Sequence, residues 1–243
     1  NVVAADGSAN FTNVTDAVAA LPATGGTIYI APGTYTGQFT ISYPNVSLRG
    51  LGGVAQNVIL TAEHGAFNAP LPPGIAPGNN GAGGDQGSST VVVDKQTISG
   101  TTYIPNNFYA ENLSIINTWD TDAANSSTLA TVGGVCTAGQ APNNNQALYN
   151  AGTLCGSQAL ALWTRSDKAV FNNVRLTSLQ DTLYAGSQGC GSNCVPARQY
   201  YWKGYITGDV DYIFGDAAMV FDQTTFYTTF HSATPNGTET IEA

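Results

Sequence analysis

Apolar positions along this chain keep two rhythms. Val14, Ala17, Val18 and Leu21 recur at helical spacing on one face, and Thr12 or Asn13 stands where a side-chain cap is needed, so a short helix is predicted over residues 12–21. Past it the rhythm shortens to alternating or wholly apolar runs: Thr27–Ile30, Phe39–Ile41, Val46–Leu48, Val58–Leu60, Thr90–Val93 and Leu113–Ile116. Gly, Pro and Asn separate these runs, which is the pattern of short strands and turns. Two stretches lack any rhythm and are predicted as long loops, Gly65–Gly87 and about Thr118 to Gly156.

A weak repeat overlies the strands. Tyr109-Ala-Glu-Asn-Leu-Ser-Ile-Ile, Val170-Phe-Asn-Asn-Val-Arg-Leu-Thr and Val220-Phe-Asp-Gln-Thr-Thr-Phe-Tyr each enter on an apolar or aromatic residue, pass a polar pair and run into an alternating strand. Repeats of this kind suit a solenoid whose coils bury their inner faces against one another. An antiparallel sandwich has similar spacing, so the repeat alone leaves both open.

Composition narrows the class. Only 9% of the 243 residues are charged, which disfavours a long helical protein. Sixteen acids against seven bases give a net charge of −9, a poor match to nucleic acid, whose phosphates need Lys and Arg. No apolar run reaches the roughly 18 residues of a membrane span. No export signal is recognisable at the start, so any such segment is expected to have been removed. Cys136 with Cys155 and Cys190 with Cys194 do not match zinc-site spacings, and two local disulfides are the simpler reading of three possible connectivities. With Asn-x-Ser/Thr sequons at Asn10, Asn13, Asn45, Asn112, Asn125 and Asn236, they point to a secreted, extracellular protein.

The chemistry sits in three strings of the second half: Gln158-Ala-Leu-Ala-Leu162, Gln180-Asp-Thr-Leu-Tyr184 and Gly208-Asp-Val-Asp-Tyr-Ile-Phe-Gly215. Gln158 precedes Asp181 by 23 residues and Asp181 precedes Asp211 by 30, the surplus matching a Gly189–Cys194 excursion. One solenoid coil then separates each string from the next, and neighbouring strands lie roughly 4.8 Å apart. Gln158, Gln180, Asp181 and Asp211 would stack on one exterior face. Paired carboxyls at that spacing push one pKa up, leaving one ionised nucleophile and one protonated acid, while the amides donate to an oxyanion. Ester hydrolysis without serine fits this set. There is no Gly-x-Ser-x-Gly elbow, and the two histidines, His64 and His231, lie in unrelated contexts and are expected at the surface. No metal or cofactor is called for.

These strings resemble the pectin methylesterase family, whose signatures are Gln-Ala-Val-Ala-Leu, Gln-Asp-Thr-Leu-Tyr and Gly-x-Val-Asp-Phe-Ile-Phe-Gly in that order; here Leu160 and Tyr212 are conservative changes. Val2-Val-Ala-Ala-Asp-Gly-Ser, Ile30-Ala-Pro-Gly-Thr-Tyr35, Ser88-Ser-Thr-Val-Val-Val93 and Phe108-Tyr-Ala-Glu-Asn-Leu extend the resemblance over essentially the whole chain. It implies an all-β fold, a right-handed parallel β-helix with a short N-terminal capping helix, forming a single domain over residues 1–243. It implies a monomeric enzyme that releases methanol from methylated homogalacturonan (pectin). Asp211 would be the nucleophile, Asp181 the general acid and then base, and Gln158 and Gln180 the oxyanion donors. Trp163, Tyr184 and Phe214 would line the sugar cleft, with core packing as their alternative use.

Three departures qualify the resemblance. The family's Leu-Gly-Arg-Pro-Trp motif, whose Arg pairs with the nucleophilic Asp, is missing, and the chain stops at Glu242-Ala243, which implies further coils in a longer protein. Asp85 stands where many relatives place a substrate-contacting Thr, implying a different subsite or a shifted alignment. Gly189–Cys194 is a local insertion beside the cleft. The alternatives are an inert polysaccharide-binding β-helix and another pectin-active β-helix, a polygalacturonase or lyase, though neither's acid clusters are recognisable.

Overall fold

The computed structural model describes residues 1–66, 84–119, 158–188 and 196–229. All four cysteines, His231, Asn125 and Asn236 lie outside these residues, as does most of both predicted loops and of the Gly189–Cys194 insertion.

Every pairing between the main strands is parallel, and neighbours in space are one coil apart in sequence. A long sheet runs through Val2–Val3, Gly26–Ile30, Val46–Gly50, Tyr109–Asn117, Ala169–Thr177, Arg198–Trp202 and Ala218–Asp222. The far halves of Tyr109–Asn117 and Ala169–Thr177 leave this path to pair with Val58–Ala62 and Tyr205–Gly208, forming a second wall. A third sheet orders Ile213–Phe214, Leu183–Ala185, Leu162–Thr164, Val91–Val93 and Phe39–Ile41. The result is the expected parallel β-helix, with the right-handed sense that parallel crossovers take.

The bend between the first two walls has a local cause. Asn112, Asn173, Lys203 and Gln223 all take left-handed backbone angles, φ between 51° and 55°. They occupy equivalent places in successive coils, one residue past the partners Glu111↔Asn172 and Trp202↔Asp222. Asn tolerates this region better than most residues. The Asn173 amide also donates to Asn112 Oδ1 at 2.9 Å, tying coil to coil. Two repeat strings, Tyr109 and Val170 onward, therefore pair residue for residue as expected. The third does not touch them directly: Tyr200–Thr207 intervenes, with Trp202-Lys203 in place of the Asn-like pair.

Inside, Ile28, Ile30, Leu48, Leu60, Leu113, Ile115 and Leu176 are fully buried in one core. The predicted helix is α1, Val14–Ala19; Asn13 caps it, its Oδ1 accepting from Asp16 N–H at 2.8 Å. Val14, Ala17 and Leu21 join the core, so α1 covers the first coil against Val2–Val3, Gly26–Ile30 and Phe39–Ile41. Uncovered coil ends invite edge pairing, and a cap prevents it. The end of the first predicted loop is helical, not irregular: Gly84–Ser88 forms the one-turn α2, because Ser88 and Ser89 hydroxyls both bond Asp85 O, at 2.8 and 3.0 Å.

Candidate active site

The three strings land on adjacent strands of the third sheet, and their register fixes the site. Leu162 pairs with Leu183 and Leu183 with Ile213. Two residues upstream of the latter pair, Asp181 therefore faces Asp211, and Asp181 N–H donates to Val210 O at 3.0 Å. Gln158 and Gln180 meet in a parallel bridge beside them. Both aspartates have left-handed angles, φ 60° for Asp181 and 47° for Asp211, so the two carboxyls leave the wall from matching turns.

Packing beneath holds those turns. Tyr212, next to Asp211, is fully buried, with its hydroxyl 3.2 Å from Thr228 Oγ1. Gly208 makes room for it, since a Cβ there would lie 2.3 Å from Tyr212 Cβ and 2.6 Å from Thr182 Oγ1. Ser178 Oγ donates to Ala159 O and Thr182 Oγ1 to Thr207 O, lacing the coils that carry Gln158, Asp181 and Asp211.

The expectation of a fully exterior stack needs correction for one member. Asp181 is only 7% exposed. Burial, then the charge of Asp85, then that of Asp211 push its pKa well above the carboxylate range, while a hydrogen bond from Gln180 pulls it down. Asp211 is half-buried. The two amides are thus unequal: Gln180 is engaged with Asp181, whereas Gln158 makes no side-chain hydrogen bond among the described residues and its Oε1 is buried without a partner. Of the ion pairs among the described residues, Arg49–Glu111, Arg165–Asp94 and Arg198–Asp167, none reaches Asp211.

Trp163, Tyr184 and Phe214 are register partners on the outer face and form a half-buried ladder. Trp163 stacks on Tyr184 at 3.8 Å and 23°, and Tyr184 meets Phe214 edge-on at 5.1 Å. They are not part of the core cluster. Gly186 is what lets the Tyr184 ring lie down, because a Cβ there would come within 2.5 Å of it. Sequence reading missed the ladder's anchor. Asp94 is 5% exposed and accepts from Trp163 Nε1 at 3.1 Å, Gln86 Nε2 at 2.8 Å, Gln188 Nε2 at 3.2 Å and Lys95 N–H at 2.7 Å. Arg165, 3.9 Å from Asp94, lies over Trp163 at 5.3 Å and Tyr184 at 5.8 Å. Asp94 and Arg165 each follow an outward residue of the sheet, Val92 or Trp163, by two positions, the one signal that could have placed them on the same face. His64 is half-buried, and burial lowers its pKa.

Comparison with known proteins agrees with this layout. A family model described as Pectinesterase matches residues 94–243. A curated pectinesterase from Ralstonia solanacearum is 30% identical over 226 residues, covering 90% of this chain and 48% of its own. Pectinesterase 2 of Citrus sinensis is 30% identical over 245 residues, covering 100% of this chain and 34% of its own. The chain thus spans less than half the length of these relatives. Among solved structures, the pectin methylesterase from Yersinia enterocolitica superposes with a TM-score of 0.65 at 28% identity, covering 92% of this chain and 57% of that one. A pectin methylesterase in complex with a hexasaccharide gives 0.64 at 26%, covering 97% and 57%. By its residues, its coil order and these matches, the chain belongs to the pectinesterase family.

Proposed function

We propose that the protein containing this chain hydrolyses methyl esters of galacturonate in pectin, outside the cell, and that Asp211 and Asp181 divide the chemistry. The observation that carries this reading is their juxtaposition in matching turns of neighbouring coils, one half-buried and one buried with a raised pKa. Ionised Asp211 attacks the ester carbonyl carbon, and the Gln158 amide, joined by that of Gln180, donates to the oxyanion. Protonated Asp181 gives its proton to the departing methoxide, so methanol leaves and an acyl anhydride remains on Asp211. Asp181, now ionised, takes a proton from water as the water attacks that acyl carbon. The free galacturonate departs, and both aspartates return to their starting states.

The Trp163–Tyr184–Phe214 ladder supports a sugar polymer as substrate, since ring faces suit the apolar faces of pyranoses. A related pectin methylesterase has been solved with a hexasaccharide. Methanol release from highly methylated pectin by the full-length protein tests the reading. Depolymerisation without methanol would replace it with a glycosidase or lyase, and binding without either would leave a carbohydrate-binding β-helix.

A further inference from the structure

The mechanism uses two carboxyls, and the site holds a third. Asp85 belongs to α2, which is bonded to the coils beside the cleft. The Asp85 carbonyl is held by two serine hydroxyls, Ser88 Oγ receives Leu160 N–H at 3.2 Å, and Gln38 Nε2 donates to Gly87 O and Ser89 O. Gln86, the next residue, turns to Asp94 and joins α2 to the anchor of the aromatic ladder. Leu160 lies two residues beyond Gln158, so α2 borders the coil that carries the oxyanion donor.

From there Asp85 acts on Asp181 more strongly than Asp211 does, and its own carboxyl is half-buried with a pKa raised by burial. Among the described residues, the charged or titratable groups that act on Asp181 are Asp85 from α2 and Asp211 from the next coil, and the neutral Gln180 bonds it. No cation joins them among the ion pairs of the described residues. Among the described residues, carboxyls and amides thus meet at this end of the cleft.

Resting on the esterase reading, we propose that Asp85 is a specificity-determining residue: it makes the α2 end of the cleft accept uronate units that carry a methyl ester and reject units that carry a free carboxylate. Units already de-esterified are excluded beside an unreacted ester, so reaction sites scatter along the polymer instead of extending from an earlier one.

The test compares the full-length wild type with Asp85→Asn and Asp85→Thr. Binding of fully methylated and unesterified hexagalacturonate is measured by calorimetry, and kcat and KM on pectins of high and low methylation by methanol release. Wild type should favour the methylated forms about tenfold more than either variant does, the scale of one screened charge repulsion, and the difference should sit in KM. The excess of the wild-type preference over that of the variants should grow as pH rises above the ordinary carboxylate range, since burial raises the Asp85 pKa and only wild type gains that charge. An unchanged binding ratio overturns the proposal, and so does failure of both variants to fold, which would make Asp85 structural. If wild type releases no methanol from any pectin, the esterase reading falls, while the binding ratio still decides the role of Asp85.

Discussion

Two aromatic stacks climb this molecule with nearly the same spacing. The inner one passes from Phe108 to Phe171 at 5.8 Å, to Tyr201 at 4.6 Å and to Phe221 at 4.9 Å. The outer one is Trp163, Tyr184 and Phe214, at 3.8 and 5.1 Å. Both follow from parallel register: Phe171, Tyr201 and Phe221 are partners in one wall as Trp163, Tyr184 and Phe214 are in another. What differs is the surroundings. Inside, Phe171 and Tyr201 are buried, and the one polar tip, the Tyr201 hydroxyl, bonds Gln199 Oε1 at 2.7 Å within the wall. Outside, the rings stay half-open, Asp94 orients one edge and Arg165 lies across two faces. Stacking is thus a property of the coil; whether it holds the fold or meets a ligand depends on which side of the wall it lies.

The largest expected effect separates site from scaffold altogether. Asp211→Asn should lower methanol release by about 10³-fold or more while the melting temperature stays near wild type, because the nucleophile is lost and the coil is not. Near wild-type turnover would sink the assignment of Asp211. Phe171→Ala probes the other stack. Removing a ring buried between Phe108 and Tyr201 should cost about 3–5 kcal/mol in denaturant unfolding, with pectin affinity of the folded fraction unchanged. A shift in KM without loss of stability would show that the inner stack is not a pure core element.

The outer stack was partly legible in the sequence, and the reason it was only partly so is physical. Motif strings about one coil apart, once the Gly189–Cys194 excursion is counted out, declare that Asp181 faces Asp211, because in a solenoid sequence interval converts into coil number. The rings came only through the family resemblance, and the register puts Trp163 beside Tyr184. Asp94 escaped because its partners, Gln86, Trp163 and Gln188, come from three separate coils with no shared spacing. The coil at Tyr200–Thr207 was invisible as a repeat, since Lys203 takes the left-handed angle that Asn112 and Asn173 advertise by residue type. α2 hid inside a Gly-rich loop, where hydroxyl bonds to one carbonyl make the helix without any apolar period.

A smaller effect follows from that hidden anchor. Asp94→Ala should release the Trp163 indole and the Gln86 amide together, raising KM for pectin several-fold to about tenfold with kcat less affected. Trp163→Ala should reproduce most of that rise, and the double variant should add little to it, since both act on the same ring. Additive losses, or a kcat effect as large as the KM effect, would mean that Asp94 reaches the reacting carboxyls by some route other than the ladder.

The smallest effect concerns stability, and it opposes two aspartates of unlike environment. The folded pKa of Asp181 is raised, chiefly by burial. Between the unfolded value of about 3.9 and that raised value, the native state keeps a proton that the unfolded chain has released. Stability therefore falls as pH rises through this window and stays lower above it. Asp181→Asn removes the penalty, so the variant should melt higher than wild type at neutral pH, by about 2–4 °C for each 1 kcal/mol relieved, and the gain should vanish below about pH 4. Asp167 has the opposite sign. Arg198 holds it at 2.6 and 2.9 Å and lowers its pKa to about 2, so its contribution is present above the unfolded value and lost as pH falls toward 2. With Arg198 61% exposed, solvent screens that pair, and Asp167→Asn should lower the neutral-pH melting temperature by no more than about 2 °C. Melting curves of the two variants against pH should thus depart from wild type in opposite directions at pH 7 and draw together in acid. An Asp181→Asn variant less stable than wild type at neutral pH would mean that the buried carboxyl is held by bonds worth more than its desolvation costs, and that it does not enter the catalytic cycle protonated.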